Sequence, residues 1–195
     1  MPRRIVIIQG HPDLNPKRFC RALAGAYEQG ARWAGHDVRR IDVAALRFEL
    51  LRSQAEWQIA ARAPDITKAQ QDIAWAQHLV IVYPLWLGGM PALLKGFLEQ
   101  AFRPGFAVGG EAAGSRWTQL LKGRSARIVV TMGMPAFVYR WYFGAYSLKS
   151  LERNILKFIG INPIRETLIG MVAAKQDTAR KSWLKRLEEL GTAGS

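Results

Sequence analysis

Five short strand-like runs, each followed by a longer segment of helical character, constrain this chain more than any other feature. Arg4 to Gln9, Asp37 to Asp42, His78 to Tyr83, Arg127 to Thr131 and Ile164 to Gly170 read as strands. Arg18 to Ala34 has apolar positions at Phe19, Leu23, Ala26, Tyr27 and Trp33, which predicts a helix. Asp65 to Gln77, Pro91 to Phe102, Tyr146 to Ile159 and Asp177 to Leu190 read as further helices. Strands separated by connections of this length pair in parallel, because a hairpin needs only a few residues and a crossover needs many. The expected fold is α/β: a doubly wound, five-stranded parallel sheet of order 2-1-3-4-5 in three layers. A chain of 195 residues can bury one large core, so 1–195 is expected to form a single domain.

Composition narrows the setting. A single cysteine, Cys20, cannot make an internal disulfide. Behind Arg3 and Arg4 the apolar run lasts only from Ile5 to Ile8, too short for an export signal. The run from Leu79 to Leu94 is broken by two prolines and two glycines, so it cannot span a bilayer as one helix. These features predict a cytoplasmic protein without membrane insertion. The formal charge of +13 raises the question of nucleic acid, but the basic residues are scattered and no recognition motif accompanies them. A positive field that attracts phosphorylated cofactors is the preferred reading.

Three loops carry the chemistry. In the proposed topology they follow strands one, three and four and converge at the switch point of the sheet. The first runs from Gly10 through His11 to Lys17 and Arg18, from a buried strand into a helix amino terminus. Unpaired amides and the positive end of the helix dipole suit a phosphate there. It matches neither a Walker loop nor a Gly-x-Gly-x-x-Gly turn. The second loop, Leu85-Trp86-Leu87-Gly88-Gly89-Met90, is apolar where most loops are polar, and it lies between Pro84 and the helix-starting Pro91. Such a loop suits a flat ligand, here a flavin ring. The third runs from Thr131 through Met132, Gly133 and Met134 to Tyr139. Gly133 permits close backbone approach, and successive amides can face the electron-rich edge of the ring.

These residues together resemble the flavodoxin-like NAD(P)H:quinone oxidoreductases, including their short bacterial members. The resemblance rests on Gly10-His11-Pro12 with Phe19, Pro84-Leu85-Trp86, Met90 to Phe97, Gly105-Phe106-Ala107 and Thr131 to Tyr139. It implies a non-covalent flavin, FMN or FAD, with NAD(P)H as co-substrate. It also implies a homodimer in which the partner completes each ring pocket. Carried over, His11, Lys17, Arg18 and Phe19 lie against the flavin tail, Pro84, Leu85, Trp86, Leu87 and Gly88 border the ring, and Thr131, Met132, Gly133 and Met134 meet its pyrimidine edge. Phe106 and Tyr139 line the acceptor pocket with Trp86 and Met134, and Tyr139 is the candidate catalytic residue. Two departures stand out: Arg18 replaces the hydroxyl residue usual before Phe19, and the histidine that pairs with the tyrosine in animal members is missing near Ala145 and Tyr146.

The implied reaction is two-electron ping-pong transfer from NAD(P)H to quinones or similar flat aromatic acceptors. The alternative implied by short bacterial relatives is a regulatory flavoprotein associated with a potassium efflux antiporter. An electron shuttle like the flavodoxins themselves is disfavoured, because the chain is strongly basic and its expected acceptor slot is broad.

Overall fold

The computed structural model describes residues 1–109, 117–173 and 177–195. Its main sheet is built from β1 (Arg4–Gln9), β2 (Asp37–Asp42), β3 (His78–Pro84), β6 (Ser125–Thr131) and β7 (Ile164–Ile169). All neighbours are parallel and the order is β2-β1-β3-β6-β7. With the strands of this sheet counted alone, that is the expected order 2-1-3-4-5. The extra numbers come from β4 (Val108–Gly109) and β5 (Thr118–Gln119), a two-residue antiparallel pair flanking residues outside those described. The glycine-rich excursion expected over Pro104 to Ser115 falls partly on those residues, from 110 onward.

Alternation along the buried strands feeds two apolar clusters. Ile5, Ile7, Val80, Val82 and Val129 meet Leu23 and Tyr27 of α1 (Phe19–Trp33) and Leu187 and Leu190 of α7 (Asp177–Thr192). Val6, Ile8, Leu79, Ile81, Ile128 and Val130 face the other way. They meet Ile66 and Ile73 of α3 (Pro64–Trp75) and Leu94 and Phe97 of α4 (Ala92–Ala101). Each fully buried Val, Leu or Ile stabilises the fold by about 1.5–3 kcal/mol, so the inner strands hold the sheet rigid and leave its edges to carry loops. A short helix α2 (Gln54–Gln58) is capped by Ser53, whose side chain accepts from the Glu56 amide at 3.1 Å. After α5 (Ala136–Trp141), the expected helix over Tyr146 to Ile159 is one α-turn, α6 (Tyr146–Lys149), running into a π-helical stretch, Ser150–Lys157.

α1 and α7 touch backbone to backbone. A Cβ placed on Gly30 would lie 2.0 Å from the Glu188 carbonyl oxygen, and one on Gly191 would lie 2.0 Å from that of Tyr27.

At the start of β3, burial and the surrounding cations push the His78 imidazole down to about 3. A histidine depressed in the fold contributes stability above its unfolded value near 6.5, and this is lost as pH falls toward 3. Each unit below 6.5 should cost up to about 1.4 kcal/mol. Urea unfolding between pH 7 and 4 is expected to show this slope, and His78→Leu to flatten it. An unchanged slope in the variant would assign acid lability to other groups.

Candidate functional site

Register brings the carboxyl ends of three strands to one rim. Gln9 pairs with Val82, and the Gly10 amide extends the ladder to the Val82 carbonyl at 2.8 Å. Pro84 pairs with Thr131, and the Leu85 amide reaches the Thr131 carbonyl at 2.7 Å. The loops leaving β1 and β3 then touch: the His11 and Trp86 rings meet edge to face, 5.8 Å between centroids. The start of α1 is tied to the end of β6 by the Cys20 Sγ–Thr131 Oγ1 contact of 3.0 Å.

The first loop is fixed by a relay of side-chain caps. His11 Nδ1 accepts from the Asp13 amide, Asp13 Oδ1 from the Asn15 amide, and Asn15 Oδ1 from the Lys17 amide, at 3.0, 2.8 and 2.9 Å. Because Nδ1 accepts, the His11 proton sits on Nε2; burial holds the ring below its usual value and hence neutral near pH 7. Arg21 binds the Asp13 carbonyl at 2.8 Å and grips Asp42 through two bonds of 2.5 and 3.0 Å, which anchors the loop to the end of β2. At the head of α1 no side chain caps the helix and its first turn holds no acid. Among the described residues the Phe19 and Cys20 amides have no backbone acceptor. An uncapped helix amino terminus of this kind is suited to an anion.

The second loop is a two-residue reversal. Trp86 and Gly89 exchange both backbone hydrogen bonds at 2.9 Å, with Leu87 at φ 47° and Gly88 at φ 76°. Positive φ at both central residues is the type I′ geometry. Holding Leu87 there costs about 1 kcal/mol or more, the kind of strain found at ligand-binding turns. The turn presents Trp86, 50 % exposed, and Leu87, 108 % exposed.

The third loop is held from below by the exit of β7. The Met132 amide donates to Ile169, and the Met171 and Val172 amides donate to Met134 and Met132 at 3.0 and 3.1 Å. Gly170 allows this approach, since a Cβ there would lie 2.4 Å from the Ala136 nitrogen. Above the loop the space is open: a Cβ on Gly133 meets nothing within 4 Å. The Gly133 and Met134 amides have no backbone acceptor among the described residues.

Some expected residues sit otherwise than the sequence suggests. Arg18 turns to Asp13, 2.5 Å away, so its guanidinium is directed at a carboxylate of its own loop, and the hydrogen bonds of the Asn15 amide, first, and of Arg18 hold that carboxyl below its usual range. Lys17 is exposed. Met132 is buried in the core, leaving Met134 as the third loop's half-buried methionine. Tyr139 also faces inward, 2 % exposed, its hydroxyl 2.7 Å from Ser147 Oγ and accepting from the Leu148 amide at 3.2 Å. Phe106 is half-buried against the cluster that receives Leu85 and Met134. Asp13, Asn15, Arg21, Asp42, Ser147 and Gly170 were not singled out from the sequence. The alternate-residue pattern Asp13, Asn15, Lys17 was the available signal for the capped loop.

Residues 3–190 match a family model described as flavodoxin-like fold. The chain belongs to that family. This flavodoxin-like chain is 30 % identical over 187 residues to an uncharacterized NAD(P)H oxidoreductase of Haemophilus influenzae, covering 92 % of this chain and 90 % of the relative. It is 29 % identical over 124 residues to FMN-dependent NADH:quinone oxidoreductase 1 of Bradyrhizobium diazoefficiens, covering 62 % of this chain and 59 % of that relative. The chain therefore spans less than two thirds of the second relative. Its backbone superposes on NAD(P)H:quinone oxidoreductase from Methanothermobacter marburgensis with a TM-score of 0.82 at 24 % identity, covering all of both chains (100 % each), which is an agreement of fold.

The rim fits a flavin. It offers uncapped amides at a helix head for a phosphate, a projecting apolar turn for a planar ring, and an open face at Gly133 with unpaired amides for the ring's polar edge.

Proposed function

We propose that this chain is a flavin-dependent NAD(P)H:quinone oxidoreductase, and that the rim formed by the three loops is its active site. The convergence of an uncapped helix head, an apolar reversal and an open glycine loop carries the reading. The names of the relatives support it, and one of them supports FMN over FAD. When bound, the flavin supplies two-electron redox chemistry between a nicotinamide and a flat acceptor.

The protein binds, orients and shields. The Phe19 and Cys20 amides, with Lys17 nearby, hold the phosphate end, and neutral His11 presents an Nε2–H donor beside Trp86. Pro84 to Gly88 border the ring, and the Gly133 and Met134 amides stabilise negative charge at its edge. Phe106, Trp86 and Met134 bound the acceptor slot, and Tyr139, whose side chain is buried in the core, supports it from within. A proton leaving the Tyr139 hydroxyl would pass first to Ser147, whose Oγ lies 2.7 Å away.

The same reading takes residues 1–195 as one three-layered cytoplasmic domain that pairs with a second copy. Phe137, Trp141, Tyr142, Phe143 and Tyr146 are all exposed on and beside α5, a density of apolar surface that favours such pairing. No helix among the described residues is long and apolar enough to cross a membrane. The oxidoreductase names of the relatives favour an enzyme over an efflux-antiporter subunit.

The purified protein is expected to be yellow, to release FMN on heating, and to oxidise NAD(P)H with menadione-like quinones. Double-reciprocal plots at several quinone concentrations should be parallel, as a ping-pong mechanism requires. Intersecting lines would exclude a shared site, and a colourless protein that does not take up FMN would remove the proposal.

A further inference from the structure

The last residue of β1 is a glutamine, in a strand whose other buried positions are all apolar. Gln9 has no exposed surface, so its amide touches neither solvent nor a ligand. A buried amide destabilises the fold unless its hydrogen bonds are made, and this one is satisfied at both ends. Oε1 accepts from the His11 amide at 3.2 Å, and Nε2 donates to the Cys20 carbonyl at 3.0 Å. A backbone N–H can only donate and a carbonyl can only accept, so the two partners fix which way the side chain lies. An apolar residue would pack here as Ile5 to Ile8 do. What glutamine adds is a link between the first loop and α1.

The point at which that link grips the helix matters. Cys20 is the second residue of α1, and its amide is one of the two without a backbone acceptor among the described residues. Gln9 holds Cys20 by its carbonyl, and Thr131 holds it by its side chain, Sγ to Oγ1 at 3.0 Å. All three residues are buried. The first turn of α1 is therefore tied to the end of β1 on one side and the end of β6 on the other, and neither tie uses an N–H. A side-chain cap, the usual way to fix a helix head, would occupy the donors that an anion needs. α1 has no such cap. Anchoring through the carbonyl keeps the turn in place and leaves its donors free.

We propose that Gln9 is a positioning residue for the phosphate end of the flavin, holding the first turn of α1 so that the Phe19 and Cys20 amides meet the phosphate in one fixed geometry. This rests on the flavin reading of the rim. Gln9 itself touches no ligand and acts through Cys20 and His11.

The test compares FMN with riboflavin, which lacks only the phosphate, by fluorescence quenching on the intact cofactor-free chain and on its Gln9→Leu and Gln9→Met variants. The parent is expected to bind FMN more tightly. Each variant should lose about tenfold or more in FMN affinity, because hydrogen bonds to a charged group are the ones disturbed. Riboflavin affinity should change by no more than about threefold. A general loosening of the fold would weaken both flavins by one factor; that result would make Gln9 merely structural and overturn the proposal, as would unchanged FMN affinity. A second measurement needs no substitution. In the parent, the Gln9 side-chain amide hydrogens should exchange with solvent several-fold more slowly in the FMN complex than in the riboflavin complex, since a phosphate at the helix head stiffens the turn that holds Cys20. Equal rates overturn the proposal. A parent that binds the two flavins equally would keep the flavin reading but take the phosphate away from α1, and the role of Gln9 with it. A parent that binds neither would remove the reading itself, and the proposal falls with it.

Discussion

Gly133→Val weakens FMN binding by about 10–100-fold while the unfolding midpoint of the cofactor-free protein stays almost unchanged. The two halves of this expectation rest on one observation. A Cβ on Gly133 has no protein atom within 4 Å, and its φ is ordinary, so the fold has no reason to resist the valine. Any penalty must come from something the protein binds. Extra methyl groups pressed against a well-fitted surface cost about 1–3 kcal/mol, which is the fold-change stated. Quenching of flavin fluorescence on titration measures it. Unaltered affinity would mean that the ring lies away from the third loop, whatever the activity of the variant.

Gly30→Val or Gly191→Val should destabilise the protein by about 3 kcal/mol or more, a large effect for substitutions distant from the rim. Here the intruding atom meets backbone at 2.0 Å, and backbone cannot rotate away as a side-chain end can. α1 and α7 would have to separate along their length, exposing Leu187 and Tyr27 at the shared cluster. Since α1 also presents the end proposed to bind phosphate, cofactor affinity should fall with stability in these variants, unlike in Gly133→Val. Urea denaturation measures the first effect. A loss below about 0.5 kcal/mol would show that the helices shift at little cost.

The sheet was legible because its signal is regional. Strands one and two are bounded by Arg4, Gln9, Asp37 and Asp42 as read from the sequence, and β3 runs only one residue further, to Pro84. β1 and β3 are constrained by burial on both faces, which composition reveals, whereas the edge strand β2 buries only Val38 and Ile41. The loops were legible in position but less so in orientation. Nothing in the residue types of Thr131 to Tyr139 says that Met132 and Tyr139 turn inward while Met134 stays nearer the surface, because a loop has no fixed period. Arg18 was read as a phosphate ligand from its charge, its place at the helix amino terminus and the family resemblance. Its pairing with Asp13 depends on the curl of the intervening chain, which the Asn15 and Lys17 caps set. The π-helical stretch Ser150–Lys157 escaped notice because its apolar spacing also satisfies an α-helix. The small pair β4 and β5 is too short for any periodicity to register.

The relay from His11 to Lys17 bears on how quickly a ligand is captured. Because each amide in that relay is already spoken for by a neighbouring side chain, and Arg21 braces the whole from Asp42, the loop's contour is set by its own side chains. A phosphate tail, if it binds here as proposed, would meet a rigid mould with little chain entropy left to lose. Capture should then be limited by diffusion and by the +13 charge of the protein, slowing as salt is added, with no later step of loop rearrangement.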